Sequence, residues 1–310
     1  MNQNQLDPSS SEGVWTAIIT PFLSSGEIDW DAYESILDKQ ARAEITGIVV
    51  AGSTGEASTL TVQEKLSLIR KSRAILGNKL RIMAGTGGQN TQQTVELSRL
   101  AIDAGADSLL VVTPPYSKPS FLGLQKHFEA IAAASSVPIC LYHVPGRTSQ
   151  LLSADEIATL AQIEKVKFIK EASGDMALFS ETAAKTQSQV LSGDDPTFLS
   201  SLVLGGLGCI SVVSNVFPQE VNELYKAFQK SDLRRARAIH ECLFPFIQAL
   251  FCESNPAPAK YILSRLNQCS NTLRLPLTSV TPQSEKIIEE SYDLCHAKLA
   301  DLLHGACDAE

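Results

Sequence analysis

Short runs of aliphatic and β-branched residues recur along the chain, separated by stretches whose apolar positions follow a helical period. The runs are "VWTAII" from Val14, "TGIVVAG" from Thr46, "LRIMAG" from Leu80, "DSLLVVT" from Asp107, "VPICLY" from Val137, "VKFIK" from Val166, "QVLSG" from Gln189 and "GCISVV" from Gly208. Between them, segments such as "DWDAYESILDKQARAE" and "TQQTVELSRLAIDAG" are apolar at i, i+3, i+4 and i+7. Alternation of this kind predicts an α/β protein with a parallel sheet, and eight units predict a closed (β/α)8 TIM barrel in preference to a doubly wound open sheet.

After the eighth run only helical patterns remain: "EVNELYKAFQK", "RRARAIHECLFPFIQALF", "APAKYILSRLN" and "QSEKIIEESYDLCHAKLADLLHG". The first supplies the barrel's eighth helix; the others predict a C-terminal helical appendage. The expected organisation is a flexible N-terminus over 1–13, the barrel with its catalytic site over 14–231, and a C-terminal helical region over 232–310. No low-complexity tract separates the last two, so they are expected to pack together.

Composition narrows the function. The chain has 310 residues, 44% hydrophobic and 19% charged, enough to bury a large core. A net charge of −8 disfavours nucleic acid or an anionic membrane as partner, since either calls for a basic face. The opening "MNQNQLDPSSSE" has no leader pattern, and the apolar runs are too short to span a bilayer. A cytoplasmic protein is expected. The seven cysteines are scattered without a Cys-x-x-Cys pair, so neither a disulfide framework nor a zinc site is indicated.

In such a barrel the active site lies at the C-terminal ends of the strands. The residues there are polar: "GSTGE", "GTGGQNT", "TPPYSKPS", "YHVPGRT", Lys170 and "SGDD" follow runs two to seven. Burying an ammonium costs several kcal/mol unless it is paired or loses its proton, and an uncharged amine is a nucleophile. Lys170 is therefore a candidate Schiff-base lysine for a carbonyl substrate; the competing reading is a lysine reaching the rim or paired with Glu171. Tyr142 and Thr54 are candidates for a proton shuttle, against a rim aromatic and a helix cap. The Gly-rich turns suggest backbone N–H groups facing an anion near a helix N-terminus; neither is a Walker loop, so a carboxylate is the more economical ligand. Arg147 could clamp a second carboxylate or serve a structural ion pair. His127, His143, His240, His296 and His304 form no ligand set, and only His143 is near the mouth in sequence; no metal is expected.

"GSTGE", "TPPY", "YHVPGRT", "FIKEASGD", "SGDD" and "GGLGCISVVSN" in this order, with "ESNPAPAKY" and "LRLPLT" beyond them, resemble the N-acetylneuraminate lyase superfamily of class I aldolases. The nearest resemblance is to its branch that condenses pyruvate with aspartate 4-semialdehyde to 4-hydroxytetrahydrodipicolinate in lysine biosynthesis. The resemblance implies that Lys170 forms the Schiff base with pyruvate and that no other cofactor is needed. It implies that Tyr142 is the acid/base phenol, linked by Thr54 to Tyr116, which reaches across a dimer interface into a neighbour's site. Ser53, Gly193 and Ile210 would line the pyruvate site, and Arg147 would hold the semialdehyde carboxylate. A homotetramer, as a dimer of dimers, is the implied assembly.

Some positions depart from the pattern. Ser53 stands where this branch more often has threonine, which keeps a sialic-acid or 2-keto-3-deoxy sugar-acid aldolase as an alternative, with a catalytically silent barrel behind it. His143 replaces a common asparagine. At the allosteric lysine pocket of inhibited relatives the matching positions hold Val62, Lys65, Gln89, Gln93 and Pro115. An added ammonium at Lys65 and a lost carboxylate at Gln93 imply weak or absent inhibition by lysine.

Overall fold

The computed structural model describes residues 11–304. Eight strands, β1 (Gly13–Ala17), β2 (Gly47–Val50), β3 (Arg81–Gly85), β4 (Ser108–Val112), β5 (Ile139–His143), β6 (Val166–Glu171), β7 (Gln189–Ser192) and β8 (Gly208–Ser211), close into one barrel in sequence order. Every pairing is parallel, β8 returning to β1 through Gly13↔Gly208 and Trp15↔Ile210. All eight predicted runs are strands. The first begins at Gly13, and Ser11 is buried and hydrogen-bonded to Gln189 Oε1, so order begins earlier than the expected boundary. The rest of the predicted flexible N-terminus lies outside the described residues.

The strands are short and buried on both faces, which is why they read as apolar runs instead of alternating patterns. Trp15, Met83, Cys140, Phe168 and Ile210 fill the interior as one cluster, while the opposite faces join the larger apolar layer beneath the helices. That layer is covered by α1 (Trp30–Arg42), α2 (Val62–Leu76), α3 (Thr91–Asp103), α4 (Phe121–Ala134), the single turn α5 (Pro145–Thr148), α6 (Ala154–Ala161), α7 (Met176–Lys185), α8 (Phe198–Val203) and α9 (Pro218–Gln229). Thr61 and Ser153 begin α2 and α6 with full capping boxes, closed by Glu64 and Glu156.

The C-terminal region is α10 (Leu233–Ala249), capped by Asp232, α11 (Ala257–Arg265) and α12 (Pro282–His304). It packs on the barrel through apolar side chains: Phe217, from the start of α9, stacks on Tyr292 of α12 and meets Phe246 of α10 edge-on. No helix among the described residues is long and apolar enough to cross a membrane.

Candidate active site

Strand register builds the site. Tyr142 on β5 and Lys170 on β6 are direct partners, both inward-facing and 6% exposed, at the C-terminal end of the barrel. The Lys170 Nζ sits 4.3 Å from the centre of the Tyr142 ring. Lys170 neither reaches for solvent nor pairs with Glu171. The carboxylate of Glu171 instead faces the helix side, accepting from His143 Nδ1 at 3.0 Å and from the Ser173 amide. Gly193, at the end of β7, leaves the room that the lysine stem occupies, because a Cβ there would lie 2.8 Å from its Cγ and Cε.

A cavity of about 110 Å³ opens above this pair, and Ser53, Thr54, Tyr142, Arg147, Lys170 and Gly193 all line it. Its floor is apolar, from Ala17, Val49, Leu110 and Val212. Ile210 lies below, in the barrel's interior cluster. Arg147 is carried by α5 and has no ion-pair partner within 4 Å among the described residues; its guanidinium approaches the Asn255 carbonyl at 3.5 Å. Tyr116 is not in the cavity. It projects from the loop after β4, 88% exposed, with φ +67°, a left-handed conformation rarely held by a bulky residue outside functional loops.

Three sequence expectations change. No helix starts at "GSTGE": α2 begins after Thr61, so Thr54 caps nothing and accepts from Asn255 Nδ2 at 2.9 Å. "GTGG" likewise precedes α3 by several residues, the cap there being Asn90. His143 does not face the mouth. It is fully buried behind β5, where Nε2 accepts the Leu152 amide at 3.1 Å; Nδ1 therefore carries the proton that goes to Glu171.

The cavity also contains groups that motif reading left without a role. Asp194 lines it, and burial, reinforced by Asp195 and Glu171 and opposed by Lys170, raises its carboxyl to about 6. Asn255 comes from the segment between α10 and α11. Asp195 faces away, accepting from the Val212 and Val213 amides and so tying the ends of β7 and β8 together.

The turn after β2 is latched to the C-terminal region. Glu56 is buried, with its carboxylate against Lys260 Nζ and accepting from the Arg274 amide at 3.1 Å. Lys260 is fully buried, donates to Thr272 O at 2.8 Å and lies 4.1 Å from the Phe22 ring centre, which Arg274 also contacts. Burial lowers the Lys260 ammonium while Glu56 beside it works in the other direction. Arg274 goes on to pair with Glu64, holding that carboxyl well below the usual range.

A second cavity, of about 440 Å³, lies between α2 and α3 and is lined by Val62, Lys65, Asn90, Gln93 and Glu96 among others. Gln89 and Pro115 are not part of its lining. Desolvation lowers the Lys65 ammonium. No group of three or more His, Cys, Asp or Glu side chains among the described residues is placed to hold a metal ion.

A closed (β/α)8 barrel with a buried lysine beside a tyrosine at its catalytic end defines the class, a barrel lyase of the class I aldolase kind. Residues 10–292 match the model of the dihydrodipicolinate synthetase family. A 4-hydroxy-tetrahydrodipicolinate synthase of Leptospira biflexa is 40% identical over 283 residues, spanning 91% of this chain and 95% of that one. The synthase structure from Methylacidiphilum fumariolicum SolV superposes with a TM-score of 0.93 at 36% identity, covering 95% and 99% of the two chains. A chloride-inhibited dihydrodipicolinate synthase of Acinetobacter baumannii, complexed with pyruvate, gives 0.90 at 35% identity, covering 93% and 99%. The chain belongs to the dihydrodipicolinate synthetase family.

Proposed function

We propose that the chain condenses pyruvate with L-aspartate 4-semialdehyde through a Schiff base on Lys170, giving 4-hydroxytetrahydrodipicolinate and water. The observation that carries this reading is the pairing of Tyr142 beside Lys170 in a cavity that also presents an unpaired Arg147. The Lys170 amine attacks the pyruvate ketone, and Tyr142 protonates the departing hydroxyl so that water leaves and an imine forms. Loss of a methyl proton converts the imine to an enamine. Its carbon attacks the aldehyde, forming the C–C bond, and Tyr142 returns a proton to the new alkoxide. The amine of the former semialdehyde then attacks the imine carbon, closing the ring and releasing Lys170. Ser53 and the backbone at Gly193 and Ile210 hold the pyruvate carboxylate; Arg147 holds that of the semialdehyde.

Tyr116 completes the proton relay from a second copy of the chain, with Thr54 linking it to Tyr142. Its exposure and its distance from the chain's own cavity support that role, and the assembly proposed is a homotetramer built of such dimers. The enzyme acts in the cytoplasm on small molecules and takes no cofactor, pyruvate being a substrate held covalently on Lys170. Similarity to synthases along nearly the whole chain favours this substrate pair over the sugar-acid alternative.

Arg147→Ala is expected to lower kcat/KM for the semialdehyde by roughly 30- to 100-fold, the worth of a lost charge-assisted bidentate contact. Formation of the pyruvyl adduct should persist, so steady-state assays set beside mass spectrometry of the borohydride-reduced enzyme check both halves. An equal loss in both would remove Arg147 from the semialdehyde's site.

The degenerate allosteric position leads to a second expectation. With Lys65 lining the cavity between α2 and α3 and no carboxylate at Gln93, lysine should inhibit the initial rate weakly or not at all. Half-inhibition at sub-millimolar lysine would contradict it.

A further inference from the structure

In the parallel register Tyr142 stands beside Lys170 inside the barrel, so the next pair, His143 and Glu171, stands together on its outer face. Both are buried, at 0% and 3% exposure. His143 Nδ1 donates to Glu171 Oε1 at 3.0 Å, and the same oxygen accepts the Ser173 amide at 2.9 Å. Nε2 accepts the amide of Leu152, nine positions further along the chain, at 3.1 Å. Between these two ends runs the loop that contains α5 and carries Arg147. Inside the loop Thr148 Oγ1 donates back to Val144 O at 3.2 Å, and Gln150 Nε2 reaches Pro119 O at 2.8 Å. The side chains of Val144 and Leu152 are buried at its two ends, while Arg147 is exposed. Apolar burial holds those ends inside without fixing their orientation, because it has no direction. The hydrogen bond to Nε2 has one.

We infer that His143 is a positioning residue: its ring ties the outgoing end of the Arg147 loop to the strand that carries Lys170, so that guanidinium and nucleophile are set in one frame. This rests on the proposed function, in which Arg147 holds the semialdehyde carboxylate, and adds to it what holds Arg147. The ring suits the task because it is rigid and, when neutral, carries a donor on one nitrogen and an acceptor on the other. Glu171 accepts at Nδ1 and thereby fixes the tautomer that leaves the Nε2 lone pair for Leu152. Glu171 is in turn held by the Ser173 amide and is the chain neighbour of Lys170. The contacts thus run from Lys170 through Glu171 and His143 to Leu152 and the Arg147 loop, behind the sheet. Neither His143 nor Glu171 lines the cavity, so a change at His143 removes no contact with either substrate.

The test separates the two ring nitrogens. Asparagine places its amide nitrogen where Nδ1 stands and keeps the bond to Glu171, with nothing at the position of Nε2. Glutamine reaches as far as Nε2 with its amide oxygen and keeps the bond from Leu152. At saturating pyruvate, His143→Asn is expected to raise KM for the semialdehyde roughly fivefold with kcat changed by less than about twofold, the weight of one neutral hydrogen bond. His143→Gln should hold that KM within about twofold of the unaltered enzyme. Introduced into Arg147→Ala, His143→Asn should cost nothing further, because a loop without its guanidinium has nothing left to place. An unchanged KM in His143→Asn, an equal rise in His143→Gln, or the same loss repeated in the Arg147→Ala background would overturn the inference. Borohydride trapping of pyruvate on Lys170 accompanies each variant. Loss of that adduct in His143→Asn would overturn the inference too, since His143 would then support the barrel and not the loop. Failure of the unaltered enzyme to consume the semialdehyde would instead overturn the proposed function.

Discussion

Borohydride reduction in the presence of pyruvate is expected to add one pyruvyl group to the peptide carrying Lys170, and Lys170→Ala should show neither the adduct nor measurable turnover. The expected loss in kcat is roughly 10⁴-fold or more, because the covalent step is removed and not merely slowed. Alanine leaves Tyr142, Arg147 and the cavity in place, so binding survives where bond-making cannot. An adduct of equal yield in the variant would move the nucleophile to another lysine. Lys260 is the control of interest: it is as deeply buried, but its partners are Glu56 and Thr272 and it does not line the cavity.

Lys260→Met carries the largest expected effect on stability. The substitution preserves apolar bulk over Phe22 but leaves Glu56 buried with only the Arg274 amide to satisfy it. Breaking a buried pair by removing one partner costs about 3–5 kcal/mol. Thermal unfolding should shift down by on the order of 10 °C. The double variant Glu56→Gln with Lys260→Met should recover much of the loss, since no lone charge then remains. If the single variant unfolds as the unaltered chain does, the pair contributes little and another contact holds the turn.

Much of this molecule was legible in its sequence, for physical reasons that can be named. A parallel strand buried on both faces must be apolar throughout, so the eight runs and their order could be counted directly. Lys170 broke one of those runs, and although a lone lysine ending a strand more often just reaches the rim, the hydroxyls of Tyr142 and Thr54 at neighbouring strand ends singled it out. The orientation of His143 could also have been read: successive residues in a strand face opposite sides, and an inward Tyr142 sends its neighbour outward. Asn255 was different, because its contacts with Thr54 and Arg147 span 201 and 108 residues and no local pattern encodes them. The role of Glu56 was hidden likewise, since "GSTGE" reads as a turn until Lys260 and Arg274 are folded against it. Asp194 stood in a quoted motif, yet which of two adjacent aspartates faces the cavity depends on the loop that follows β7.

The latch on Glu56 also sets an order of events at the ribosome. All eight strands have been synthesised by Ser211, so the barrel could close while the last third of the chain is still unmade. Until Lys260 and Arg274 emerge, however, the Glu56 carboxylate of that early barrel lacks both of its partners, and Thr54 lacks Asn255. A nascent chain halted after α9 is thus held back from a finished active site, and ribosome-bound intermediates of that length are the species from which chaperones would have most to gain.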